Sequence, residues 1–251
     1  MRLATNLFWI ACLILVPFSV LAAELTRADV QSILTSTPAG QTASFAGKSL
    51  AGADLHDLDF SHADFSGADL SGADLRGAKL VGSKLVGAKL PGAKLNLAWI
   101  MGADFSRADL SGADLETLIV SAGLQTLPQE AATFIGANLS GAKVTARFNL
   151  DDMRGANLSR LQASADIKNQ SMGLIRTEFS QANLTNANFK DAALAHVNFE
   201  FAKLAGANFS GADLSYADLT GADLTDADLT GANTTDAIFT RAVLKGAKGY
   251  Q

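Results

Sequence analysis

Side chains that could bind a metal or attack a substrate are few in this sequence. Its 251 residues include three histidines and one cysteine. His56 and His62 lie close together with Asp57 and Asp59 nearby; a metal site is one interpretation of this group, and four solvated surface residues are the other. The second interpretation fits better, because both histidines fall at predicted bends of the chain, where side chains are usually solvated. The sequence also has no HExxH motif, no phosphate-binding glycine loop and no cysteine nucleophile. We therefore predict no catalytic residue, no bound metal and no cofactor.

The overall charge argues against direct binding of nucleic acid. The chain has 20 Lys and Arg residues against 25 Asp and Glu residues, a net charge of −5. Proteins that bind DNA or RNA carry clustered Lys and Arg, which this balance does not provide. With 48% hydrophobic residues the chain is too apolar to be a disordered tail, and its length fits one or two domains.

Residues 1–23 have the pattern of a secretory signal peptide. Arg2 precedes an apolar run over residues 7–20, and small residues follow at Ala22 and Ala23, where we expect cleavage. A permanent membrane anchor is the competing interpretation. The apolar run over residues 7–20 is, however, shorter than the roughly 20 apolar residues that a membrane-spanning helix needs. The one cysteine of the chain lies within this segment. We predict a periplasmic or secreted protein that meets the membrane only during export.

A five-residue repeat dominates the rest of the chain. From Phe45 to Leu115 every fifth residue is a large apolar one, most often preceded by Ala and a polar residue and followed by a small polar pair, as in Ala-Asp-Leu-Ser-Gly. On an α-helix a step of five residues would turn these side chains by about 140° each time, so they would share no face. Ala-Asp-Leu instead alternates inward and outward as a short strand does, and Ser-Gly suits a bend.

The segments GADLSGADLRGAKL and GADLSYADLTGADLTDADLTGAN resemble the pentapeptide repeat family. The resemblance covers residues 45–244 apart from two breaks. It implies an all-β fold, a right-handed four-sided parallel β-helix with four repeats in each coil. It says little about activity, because members with different roles share the repeat.

The spacing of large side chains supports a coil of twenty residues. In the second half of the chain the central Phe residues are separated by multiples of ten, which places them on two opposite walls: Phe179, Phe189, Phe199, Phe209 and Phe239. The same coil length places a belt of four lysines between belts of aspartates: Lys79, Lys84, Lys89 and Lys94. Opposite charges on adjacent strands favour one register.

These patterns divide the chain into three parts. Residues 1–23 form the signal peptide, and residues 24–40 form a capping segment in which LTRADVQSIL predicts a short helix. Residues 41–251 form the β-helix. The repeat is interrupted around residues 116–133 and 164–171, and it slips by one position near residues 147–150.

The interruptions are the predicted place of partner binding, because deviations in a repeat array commonly map to loops on a binding face. We expect residues 122–130 and 165–171 to converge with a mixed set of side chains: Trp99, Arg147, Asp151, Asp152 and Arg154. The alternative is a passive insertion. A second candidate is an acidic turn of the coil, for which a solvated face is the alternative: Asp213, Asp218, Asp223 and Asp228.

Only the N-terminal end of the predicted rod has a recognisable cap. The open C-terminal coil would expose unpaired backbone groups and Phe239, so we expect a homodimer joined there unless Tyr250 and the tail close the end. The leading functional hypothesis is a non-catalytic extracytoplasmic scaffold that binds another protein or an envelope component. The alternatives are a DNA-mimicking protector of a topoisomerase, as the family resemblance implies, and a β-helix that binds or modifies an envelope polymer.

Overall fold

A computed structural model describes residues 25–121, 126–165 and 176–250. The repeats wind into a right-handed four-sided parallel β-helix, which confirms the predicted fold. Each repeat contributes one side of a coil through a single parallel bridge, so that Ser44 pairs with Asp64 twenty residues later. In most repeats the large apolar residue and the Ala two positions before it point inward and are buried in one continuous core, and the inward residues of the last repeats, such as Phe239 and Leu244, are half-buried against it.

We name the four walls by their outward residues in the first coil. Wall 1 begins at Ser44, wall 2 at Ser49, wall 3 at Asp54 and wall 4 at Asp59. Within the described ranges the outward residues make nine complete coils, and residues 243 and 248 begin a tenth.

Helix α1, Arg27–Ser36, covers the N-terminal end of the rod. It begins with the predicted capping box, in which the Thr26 hydroxyl accepts a hydrogen bond from the Asp29 N–H and the Asp29 carboxylate accepts from the Thr26 N–H. Val30 is fully buried against the first coil. No helix in the described part of the chain has the length and apolar character needed to cross a membrane.

Regular strands longer than one bridge occur at one place among the described residues. Strand β1, Asp114–Glu116, pairs in parallel with strand β2, Lys143–Thr145. A short 3-10 helix, Pro128–Glu130, lies in the first interruption.

Two columns of phenylalanine fill the interior of the second half on opposite walls. Phe179 and Phe199 stack on wall 4 with ring centroids 5.3 Å apart, and Phe189 and Phe209 stack on wall 2 at 4.9 Å. The columns meet edge to face, with 5.7 Å between the centroids of Phe189 and Phe199. This is the arrangement that the spacing of ten predicts.

The outward aspartates have a local role that the charge pattern did not predict. Asp69 faces Lys89 in the expected register, but its Oδ1 also accepts a hydrogen bond from the Ser71 N–H at 3.0 Å. The pKa of Asp69 is lowered mainly by its hydrogen bonds with Ser71 and less by Lys89. The same bond to the residue two positions later recurs at most outward Asp and Asn residues and closes each corner.

The coil length changes at the centre of the rod. Asp109 pairs with Asn138 after 29 residues, Asn138 with Asn157 after 19, and Asn157 with Asn188 after 31. Two insertions and the predicted one-residue slip account for these steps.

Wall 2 stays continuous through this irregular centre. Asn138, Asn157, Asn188 and Asn208 stack along it, and each side-chain amide donates to the previous residue of the ladder at 2.9–3.2 Å, beginning with Asp109. Walls 1 and 3 are bridged through the same coils, so the amide ladder is an additional tie along wall 2, and the insertions fall at the edges of wall 4.

Candidate functional site

Both insertions leave the rod at the edges of wall 4. The first lies between Ile119, on wall 4, and Thr133, on wall 1. The second lies between Gln162, on wall 3, and Glu178, on wall 4. Residues 122–125 and 166–175 fall outside the described residues, so the predicted convergence of the loops themselves is not observed. We call the points at which the insertions leave the coil their roots. The two roots lie at the two edges of wall 4.

Wall 4 carries large apolar side chains on its outer surface next to the root of the first insertion. Trp99 and Ile119 are bridge partners in successive coils, and both are half-buried. Leu97, on the corner beside Trp99, is 56% exposed, and Leu127, in the first insertion, is 49% exposed. We call these four residues the central patch. Leu97 also has a positive φ of 62°, a conformation in which most corners of the first half use glycine.

A polar group adjoins the patch on the same wall. Arg147 Nε lies 3.7 Å from Glu178 Oε2, and Asn149 Nδ2 donates to the same oxygen at 3.1 Å. Asn149 Oδ1 accepts from the Ser180 N–H at 3.0 Å. These bonds link the fifth coil to the point where the chain returns from the second insertion.

Glu130 anchors the first insertion, a role that the sequence did not reveal. Its carboxylate accepts hydrogen bonds from the Ser121 hydroxyl and the Leu127 N–H, both at 3.0 Å. Its carbonyl accepts from the Gly102 N–H at 2.8 Å, as a corner carbonyl of a regular coil would. The insertion therefore behaves as one enlarged corner.

Three of the predicted contact residues lie away from wall 4. Asp152 is on wall 1, and Arg154 is on the corner after it, with 2.7 Å between Arg154 Nη2 and Asp152 Oδ2. The prediction that Asp151 offers a charged surface contact is wrong, because Asp151 takes the inward position that Ala fills in most other repeats and is 1% exposed.

A polar cleft of about 400 Å³ opens at the corner between walls 3 and 4. The cleft follows from the one-residue slip. The outward residues Lys143 and Arg147 are one residue closer in the chain than in a regular repeat, so the repeat between them has no corner turn. Its lining surrounds β2: Glu116, Lys143, Val144, Thr145, Gln162, Ser164 and Ala193.

The predicted acidic turn does not form one surface. Its four carboxylates stand on four different walls: Asp213 on wall 3, Asp218 on wall 4, Asp223 on wall 1 and Asp228 on wall 2. Lys203 is the bridge partner of Asp223 on wall 1. Each wall also carries at least one Lys or Arg among its outward residues, so no wall is uniformly acidic.

The histidines near the N-terminus are engaged separately. His56 Nδ1 hydrogen-bonds to Asp54, which also pairs with Arg27 of α1 at 3.2 Å. The His62 ring lies over Gly82 of the next coil. The described residues contain no group of three or more His, Cys, Asp or Glu placed to hold a metal ion.

At the C-terminal end, Phe239 is half-buried and Tyr250 packs against it, with ring centroids 4.9 Å apart and planes at 62°. The tail therefore covers part of the last coil.

A sequence model of pentapeptide repeats matches this chain in eight copies, over residues 43–72, 59–96, 78–116, 174–200, 192–231 and 222–248. The chain belongs to the pentapeptide repeat family. The matched ranges stop at the irregular centre and resume after it. No curated protein matches the chain.

Among solved structures, pentapeptide repeat proteins are similar to this chain. HetL, involved in heterocyst differentiation regulation in the cyanobacterium Nostoc sp., is 28% identical, with 90% of this chain and 99% of HetL covered and a TM-score of 0.42. QnrB1, a plasmid-mediated fluoroquinolone resistance protein, is 22% identical, with 79% and 87% covered and a TM-score of 0.33. A pentapeptide repeat protein of the Arabidopsis thaliana thylakoid lumen is 28% identical, with 51% and 77% covered and a TM-score of 0.23.

Proposed function

We propose that this pentapeptide repeat protein is a non-catalytic extracytoplasmic scaffold that binds another protein through wall 4 at its irregular centre. The observation that supports this most directly is the position of the two insertions, which leave the rod at the two edges of the same wall. On this wall the central patch lies next to the first insertion and the Arg147–Glu178 group lies next to the second. Aromatic and Arg side chains are enriched at protein interfaces, and the buried core of an interface is depleted of charged residues.

The extracytoplasmic location is a proposal from the sequence of residues 1–23. An apolar run after Arg2 with small residues at its end supports export. Fractionation of cells with an antibody against the repeat domain tests it. We expect a chain that has lost residues 1–23 in the exported fraction. A full-length chain in the cytosol would refute the location and would favour the DNA-mimicking alternative.

The binding proposal is tested by photo-crosslinking from two positions in the fourth coil. A photoreactive residue at Ile119, on wall 4, is expected to capture a partner in envelope preparations, and one at Asp109, on the opposite wall 2, is not. The substitution Trp99→Ala is expected to reduce capture from position 119, whereas Lys89→Ala, in the same coil as Trp99 on wall 2, leaves it unchanged.

The first insertion is tested by replacing residues 122–129 with a Gly-Ser turn. Glu130 is retained because its carbonyl accepts the Gly102 N–H. We expect an unchanged thermal transition and loss of the crosslinked partner. If the shortened protein keeps every crosslink, the insertion is passive. In the crosslinking experiment on the intact chain, equal capture from positions 109 and 119 would contradict the choice of wall 4.

We also propose that two copies associate through their C-terminal coils. In a complete coil the N–H of the central residue donates to the next coil, as the Leu229 N–H does to the Lys248 carbonyl at 2.8 Å. Phe239 and Leu244 have no further described coil to pair with. Sedimentation is expected to give twice the chain mass, and Phe239→Asp is expected to halve it. A monomer at high protein concentration would show that Tyr250 and the tail close the end.

A further inference from the structure

Asp151 is a carboxylic acid in the interior of the rod. It lies on wall 1 of the sixth coil, between Ala132 of the fifth coil and Ala182 of the seventh, both of which are buried. Among the described residues it is the one buried side chain that can titrate. An unpaired carboxylate in such surroundings is costly, so its presence in place of Ala calls for a physical reason.

The reason lies at the root of the first insertion. In a regular repeat the N–H of the inward Ala donates to the central residue three positions earlier, as the Ala137 N–H does to the Phe134 carbonyl at 3.0 Å. Ala132 is the first inward residue after the insertion and has no such carbonyl before it. Asp151 Oδ1 accepts its N–H at 2.9 Å instead. Asp151 Oδ2 has no hydrogen-bond partner.

The surroundings of the carboxyl group favour its neutral form. The inward residues of the adjoining repeats are apolar: Phe134, Phe148, Met153 and Leu184. The charged groups of the same region belong to the outer surface, where they pair with one another: Asp152 with Arg154, and Arg147 with Glu178. Burial raises the pKa of Asp151 well above its usual value, and the hydrogen bond from Ala132 opposes this only in part.

We propose that Asp151 is a proton-dependent latch that ties the return of the first insertion to the sixth coil. With its proton in place, the carboxyl group binds the Ala132 N–H and can remain buried. Loss of the proton leaves an unpaired negative charge inside the rod. The chain then opens locally at Ala132, and water reaches the carboxylate. Ala132 lies next to the corner between walls 4 and 1, so the opening changes the edge of wall 4. The latch does not depend on which partner binds to that wall.

The sign of the pH dependence follows from linkage. A carboxyl group whose pKa is raised on folding stabilises the fold at pH values below its unfolded pKa, about 3.9. That contribution is lost as the pH rises through the folded value. Surface carboxylates such as Asp69 act in the opposite direction, because a lowered pKa gives stability that is lost as the pH falls.

Hydrogen exchange on the whole chain between about pH 4 and pH 9 tests the latch. After division by the intrinsic exchange rate, protection of the Ala132 amide is expected to fall as the pH rises in the wild type. It is expected to stay constant in Asp151→Asn, whose side-chain oxygen still accepts the hydrogen bond and does not titrate. Asp152→Asn, which changes the outward neighbour, is expected to keep the wild-type dependence.

A second variant covers the case in which Asp151→Asn does not fold. Asp151→Ala introduces the residue that most other coils carry at this position, and its thermal midpoint is expected to lack the decline that the wild type shows with rising pH. Protection of Ala132 that does not change with pH in the wild type would overturn the latch. So would an equal loss of protection in the wild type and the Asn variant, or an equal decline of the midpoint in the Ala variant.

Discussion

Replacing Phe199 with alanine is expected to lower the free energy of unfolding by about 3–5 kcal/mol. The ring is fully buried, stacks on Phe179 at 5.3 Å and meets Phe189 and Phe209 edge to face at 5.7 and 5.9 Å. Its removal leaves a cavity that the backbone cannot close, because every wall is tied to the coils before and after it. Urea unfolding followed by circular dichroism measures the loss.

Phe201 provides a matched control two residues away. It lies at a corner and is 52% exposed, with its ring over Gly221 of the next coil. Phe201→Ala removes the same atoms from the surface and is expected to change the stability by no more than about 0.5 kcal/mol. Similar losses for the two variants would contradict the inward position of Phe199 and the outward position of Phe201.

Enlarging an inward alanine is expected to have the second-largest effect. Ala73 is fully buried in the second coil. Ala73→Leu inserts three additional carbons into a close-packed interior, and we expect it to destabilise the fold by about 1–3 kcal/mol. The midpoint of thermal unfolding, compared with that of the wild type in the same buffer, reports the change.

The outward position in the preceding repeat gives the control. Asp69→Ser loses the hydrogen bonds from Ser71 but places no new volume in the core. Its cost is expected to be about 1 kcal/mol or less, because the corner N–H becomes accessible to water. If the serine variant were as unstable as the leucine variant, capping of the corners would matter as much as core volume.

Much of this fold follows from the spacing of residue types along the sequence. A period of five excludes the helix, and the alternation of Ala, polar and large apolar residues assigns inward and outward faces without any long-range information. The spacing of Phe189, Phe199 and Phe209 by ten then predicts two opposite walls, since a four-sided coil returns to the same wall after twenty residues. The capping box at Thr26 is also a local signal, because its partners lie within one helical turn.

The candidate site was predictable only as a region. Trp99 and Arg147 stand on one wall, but Asp152 and Arg154 belong to wall 1. Counting in steps of five cannot assign a wall after an interruption, because the number of extra residues that leave the coil is unknown. Glu130 was not singled out for the same reason: its role as a corner residue appears only when the carbonyl is seen opposite the Gly102 N–H.

The sequence alone therefore determined the two faces of each repeat and the N-terminal cap, because these depend on residues within one repeat or one helical turn, and it determined the twenty-residue coil from the spacing of large side chains between repeats. The tertiary structure decided which residues meet across the two insertions. Asn138, Asn157 and Asn188 form one ladder although they are 19 and 31 residues apart, and Asp151 reaches Ala132 inside the rod. Those pairings are set by the register that buries the apolar side chains of separate coils against one another, and segments distant in the chain acquire a common register only when they pack.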